Sequence, residues 1–186
     1  MSLPSKEEQI VSLFYNQSSK HWHFEDIIKT SKVSRSKANK WLTKLIQQEI
    51  IMHVKPEGKM PYFKASFESL SYRTSKKLFA LAQMQKTGFL NHLLSLKEAK
   101  TVIIFGSFSR ADWHAESDID LFIYGNDDDL DIRTYSTLLN REIQLFTARN
   151  PADLEKFGSG LLRNILEGVL VKGKIEFVEV TPIATV

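Results

Sequence analysis

The stretch IIFGSFSRADWHAESDIDLFIYG, Ile103 to Gly125, constrains the fold more than any other part of the chain. An apolar run from Thr101 to Phe105 breaks at Gly106-Ser107. A second run, Ile119 to Tyr124, holds Asp120 within it and follows directly on Asp118. Side chains alternate faces along a strand, so Asp118 and Asp120 share one face while Ile119, Leu121 and Ile123 take the other. Two carboxylates about 7 Å apart on one face repel unless a positive group lies between them. Mg²⁺ suits that position, because it takes hard oxygen ligands and shares them with substrate phosphates. The Gly-Ser turn supplies close backbone approach, free N–H groups and a hydroxyl, which a triphosphate needs. A phosphate cradle beside metal carboxylates implies nucleotidyl transfer from a nucleoside triphosphate.

The same residues resemble the nucleotidyltransferase signature of the DNA polymerase β superfamily: hydrophobic, Gly-Ser, a spacer, then Asp-hydrophobic-Asp-hydrophobic. They look most like the minimal nucleotidyltransferases of archaea and bacteria, in which an Arg follows Gly-Ser and a Ser precedes the first Asp. Those positions are Gly106, Ser107, Arg110, Ser117, Asp118 and Asp120, and the resemblance extends over about residues 97–173. Ala111 stands where these proteins often carry a Gly, a departure that bears on loop shape. The resemblance implies that Asp118 and Asp120 hold Mg²⁺ and act in catalysis. It also implies that Gly106, Ser107 and Arg110 bind the nucleotide, with ATP as the expected substrate.

The family places a third acid on a neighbouring strand, where it completes the metal site and helps deprotonate the attacking hydroxyl. The matching strand is Arg141 to Thr147, and the resemblance puts that acid on Gln144, which neither serves as a base nor neutralises a metal. Glu142, two residues earlier and on the same strand face, is the catalytic candidate that remains. A step of about 6–7 Å is large for catalysis. The other reading of Glu142 is an exposed strand-end residue beside Arg141.

The chain's net charge of +3 conceals an asymmetry: residues 1–98 carry +8 and residues 99–186 carry −5. A basic half suits a polyanion, nucleic acid foremost, while an acidic half suits metal-bound substrates. The absence of Cys excludes disulfides and thiolate metal sites. No stretch is apolar enough for a membrane span or a signal peptide, so the expected location is cytoplasmic.

In the basic half, Lys6 to Tyr15 carries Ile10, Val11, Leu13 and Phe14 on one helical stripe, and Phe24 to Thr30 gives a short second helix. Ser34 caps a third helix running to about Gln48, with Ala38, Trp41, Leu42, Leu45 and Ile46 on its buried face. Ile50 to Lys55 and Pro61 to Ala65 flank the turn Pro56-Glu57-Gly58-Lys59 and read as a hairpin. This order looks like a winged helix-turn-helix. Its third helix then presents Arg35, Ser36, Lys37, Asn39, Lys40 and Lys44 to double-stranded DNA, with Lys55 and Lys59 on the wing. Solvation of a surface helix is the alternative use of these lysines, and protein docking or dimerisation the alternative use of the fold.

Phe67 to Tyr72 is a connector. A long helix from about Ser75 to Leu96 follows, with Leu78, Phe79, Ala82, Phe89, Leu93 and Leu96 apolar and Gly88 a candidate kink. Its N-terminal part is a link or a homodimer contact. Pro151 to Phe157 and Leu161 to Glu167 read as helices, and Val169 to Val171 and Ile175 to Val180 as strands. The acidic loop Asp127 to Asp129 reads as solvated. Trp113 and His114 are expected in a surface loop, with base stacking by Trp113 as the other use.

These features predict an α+β chain. A winged helix-turn-helix of three helices and a β-hairpin wing spans residues 1–66, and a connecting helix spans 67–98. A polymerase β-like nucleotidyltransferase domain with a mixed sheet and flanking helices spans 99–186. Two functions fit. One is Mg-dependent transfer of a nucleoside monophosphate to an unidentified acceptor. The other is a DNA-binding regulator whose transferase domain binds nucleotide or a partner but is catalytically impaired. Some relatives are antitoxins that adenylylate a HEPN-family toxin, so a HEPN protein is an expected partner.

Overall fold

The computed structural model describes residues 5–177. The chain divides into two compact units, Met1–Gln83 with Arg110–Ser117, and Met84–Ser109 with Asp118–Val186. The first unit thus takes in more chain than residues 1–66, including a segment from the middle of the sequence.

The first unit opens with α1 (Lys6–Asn16), started by a capping box: Ser5 Oγ accepts from the Glu8 N–H, and the Ser5 N–H donates to Glu8. Helices α2 (Phe24–Ser31) and α3 (Arg35–Gln47) follow, then the antiparallel hairpin β1 (Ile51–Val54) and β2 (Tyr62–Ala65). Ile10, Phe14, Ile27, Ala38, Leu42 and Leu45 are buried, as their helical spacing requires. Ile46, expected inside, is 36% exposed, because the stripe of α3 narrows at its last turn.

Helix α4 (Leu70–Lys86) begins earlier than the periodicity predicts, and Gly88, at φ +81°, separates it from α5 (Phe89–Ser95). The expected long helix is therefore two. Its buried face also differs from the expected stripe: Leu78 is 60% exposed and Ala82 exposed, while Tyr72, Lys76, Ala80 and Met84, four residues apart, are buried. A buried lysine concealed that face from a hydrophobic count.

The second unit is built on a four-stranded mixed sheet in the order β5-β4-β3-β6, formed by β3 (Ala99–Phe105), β4 (Ile119–Gly125), β5 (Ile143–Ala148) and β6 (Val169–Gly173). β3 pairs antiparallel with β4 and β6, and β4 pairs parallel with β5. Ile103, Phe105 and Phe122 on one sheet face form a core with Leu154 of α8 (Pro151–Leu154) and Ile165 of α9 (Ser159–Leu166). Ile104, Leu121 and Ile123, on the opposite face, are also buried. Helix α6 (Ser107–Arg110) follows the Gly106 turn, and α7 (Ile132–Leu139) joins β4 to β5. The sequence pattern predicts no helix at α7, whose N-cap is Asp131, its side chain accepting from the Thr134 N–H. Asp127 and Asp128 bind Arg149. The strand expected over Ile175 to Val180 is not formed at residues 175–177, and its remainder lies outside the described residues. Among the described residues, no helix is long and apolar enough to cross a membrane.

Candidate active site

The site grows from one crossing of backbone and carboxylate. In the β3–β4 register Phe105 lies opposite Asp120, so the chain turns at Gly106 just beside the Asp120 side chain. Gly106 adopts φ +70°, and a β-carbon there would overlap Asp120 Oδ2 and lie 2.9 Å from its Cγ. Only glycine combines this left-handed backbone with so close an approach. Ser109 Oγ donates to the Gly106 carbonyl at 2.9 Å within the buried turn, and Ser107 is the first residue of α6.

Asp118 immediately precedes β4 and is exposed; Asp120 is half-buried on the same face, above the core residue Phe122. Across the parallel ladder, Asp120 lies directly opposite Gln144. An amide therefore occupies the position beside Asp120. Glu142 is exposed just before β5, and its carbonyl accepts the Ile119 N–H at 2.9 Å, which extends the ladder to the level of Asp118. Two carboxylates beside a turn without a β-carbon fit a hard divalent cation. Among the described residues no cluster of three His, Cys, Asp or Glu exists to complete an all-acid site.

Arg141 joins the site, although the sequence pattern does not mark it. Its half-buried guanidinium lies 5.1 Å from the Phe108 ring centroid. Burial pulls its pKa below the usual arginine value, and the Asp118 carboxylate opposes that fall. The available signal was its place beside Glu142, but a lone arginine before a strand is usually solvated.

The spacer between turn and acidic strand belongs to the first unit. Arg110 donates to Asp112 at 3.0 Å. Ala111 holds φ +61°, a left-handed conformation that glycine adopts freely and alanine does not. Trp113, expected on the surface, is 2% exposed: its ring stacks on Phe79 and meets Tyr15 edge-on. Lys76 Nζ donates to the Trp113 carbonyl at 2.6 Å and lies 4.6 Å from the indole, and the Ala115 N–H donates to Asn16. Trp113 is thus a core residue of that unit. His114 is exposed, and its Nδ1 accepts from the Glu116 N–H.

On α3, Ser36, Lys37, Asn39 and Lys40 are exposed. Arg35 pairs with Glu25 at 2.5 Å and Lys44 with Glu7 at 2.9 Å. Lys55 follows β1, and Lys59 lies in the hairpin turn; both are exposed.

Residues 90–176 match the family model described as Polymerase beta, Nucleotidyltransferase. The match spans Gly106, Ser107, Arg110, Asp118, Asp120, Glu142 and Gln144, and supports a nucleotidyltransferase domain in this part of the chain. The mixed sheet with its flanking helices fits a polymerase β-like domain. No curated protein and no solved structure matches the chain.

Proposed function

We propose that the second unit binds a Mg²⁺-nucleoside triphosphate, ATP by preference, in a nucleotidyltransferase-type site whose transfer step is slow. The observation that carries this is the Gly106 backbone against the Asp120 carboxylate within the family-matched segment. Asp118 and Asp120 would hold the metal, which supplies charge stabilisation on the attacking and leaving oxygens of an α-phosphoryl transfer. Gly106 and Ser107 offer backbone N–H groups and a hydroxyl to the β and γ phosphates. Gln144 opposite Asp120 favours slow transfer, since an amide contributes no charge to the metal and takes no proton from an acceptor hydroxyl. Glu142, at the level of Asp118, supports the active alternative, in which it deprotonates the acceptor. Calorimetry with ATP, with and without Mg²⁺, on the parent and Asp120→Ala tests the site. Binding that is absent, or indifferent to both Mg²⁺ and Asp120, excludes it.

The first unit we assign to duplex DNA, as a winged helix-turn-helix reading with α3 and the hairpin turn. Helix order and the +8 charge of residues 1–98 support it. Ser36, Lys37, Asn39 and Lys40 are its contact residues, with Lys55 and Lys59 beside them; Arg35 and Lys44 must first exchange their glutamate partners. A DNA-binding antitoxin acting on a HEPN-family partner would unite both units. Labelled ATP with candidate acceptors tests that form.

A further inference from the structure

Asp118, Asp120 and the Gly106-Ser107 turn account for a metal and part of a triphosphate, but not for Arg141 at the same end of the sheet. Its backbone is fixed from both sides. Helix α7 ends at Asn140, which is left-handed at φ +51°, and the Arg141 N–H donates to the Ser136 carbonyl at 3.1 Å. The next residue, Glu142, accepts the Ile119 N–H, so Arg141 enters the sheet beside the start of β4, which Asp118 immediately precedes. Its guanidinium is half-buried, 5.1 Å from the ring centroid of Phe108, a buried residue that directly follows Ser107. The Asp118 carboxylate acts on it from the other strand. A cation is thus held close to both the phosphate turn and the first metal carboxylate, and all these residues belong to the second unit.

A guanidinium in that place has a definite electrostatic consequence. It opposes capture of a bare divalent cation by Asp118 and Asp120, because like charges repel strongly in a partly desolvated site. It favours a ligand that carries more negative charge than the metal carries positive, and a metal-bound triphosphate is such a ligand. Its shape suits phosphate as well: planar, charged at every working pH, and able to donate paired N–H bonds to one phosphate group. The Phe108 ring attracts the group without neutralising it.

We propose that Arg141 binds the triphosphate of the nucleotide, so that the site takes up a metal-nucleotide complex and discriminates against the metal alone. This rests on the nucleotide-site reading above, and adds to it a phosphate ligand and a selectivity. The single residue acts with opposite sign on the two ligands, which a merely structural role does not do.

Calorimetry of the full chain with ATP and Mg²⁺, and electron paramagnetic resonance with Mn²⁺ alone, test this on the parent, Arg141→Gln and Arg141→Lys. Circular dichroism confirms folding of each. Arg141→Gln should weaken ATP binding about tenfold or more, the scale of one charge-assisted contact to phosphate. The same variant should bind Mn²⁺ more tightly than the parent. Arg141→Lys should show intermediate ATP affinity, since it keeps the charge and loses the paired donors. Unchanged ATP affinity in Arg141→Gln overturns the proposal. Mn²⁺ affinity that stays level or falls together with that of ATP overturns it too, because Arg141 then only supports Asp118. A parent that binds no ATP sinks the nucleotide-site reading itself, and this proposal with it, before any variant is compared.

Discussion

A β-carbon at Gly106 would overlap the Asp120 carboxylate, so the turn and the acid are fitted to each other as one unit of structure. Gly106→Ala should therefore cost more than the about 1–2 kcal/mol of a left-handed alanine, because the carboxylate must also move. It should abolish ATP binding in calorimetry. Urea unfolding of Gly106→Ala/Asp120→Ala should show the two changes to be non-additive, the double variant being less destabilised than the single costs predict. Additive costs would mean that the two residues do not contend for the same space.

Gln144 faces Asp120 across the β4–β5 ladder, and the resemblance puts the family's third acid at this residue. Gln144→Glu or Gln144→Asp should raise nucleotide transfer to a supplied acceptor by about 10²–10⁴, the usual scale of a positioned base. Glu142→Gln should matter only if Glu142 already serves. Fast parent transfer that survives Glu142→Gln would refute the assignment of slow chemistry.

Trp113 and Lys76 should behave as core residues of the first unit. Trp113→Ala should lower its stability by about 3–5 kcal/mol, the usual result of truncating a buried aromatic. Lys76→Met removes the donor to the Trp113 carbonyl and should cost about 1–3 kcal/mol. Urea titration followed by tryptophan fluorescence measures both. A stabilised Lys76→Met would show that desolvating the ammonium outweighs its hydrogen bond.

DNA affinity of the full chain should fall by orders of magnitude between about 50 and 200 mM salt, as released counterions require. Lys37→Ala/Lys40→Ala should weaken binding to every duplex and flatten the salt dependence, while Asn39→Ala should change sequence preference. Anisotropy with labelled duplexes measures both. The full chain is the proper reagent: Tyr72 donates to the Phe14 carbonyl and Trp113 packs on Tyr15, and both lie beyond residue 66. Affinity absent even at low salt would turn the first unit towards docking or dimerisation.

The acidic strand, its facing Gly-Ser turn and the hairpin were legible in the sequence because each depends on local rules. Strand alternation puts Asp118 and Asp120 on one face whatever surrounds them, and a glycine between two apolar runs marks a turn. The resemblance puts the family's acid position on Gln144, but that Gln144 lies opposite Asp120 is read only from the parallel register. Trp113, Lys76 and Arg141 were not legible in this way. Burial of a spacer tryptophan depends on Tyr15 and Phe79, far away in the chain, and burial of a lysine on a carbonyl that accepts its proton. Arg141 gained its place only when β5 aligned beside β4 and brought Asp118 into its field. Periodicity records which face of an element is apolar. Which distant residues meet that face is decided by packing, and packing follows from the whole chain at once.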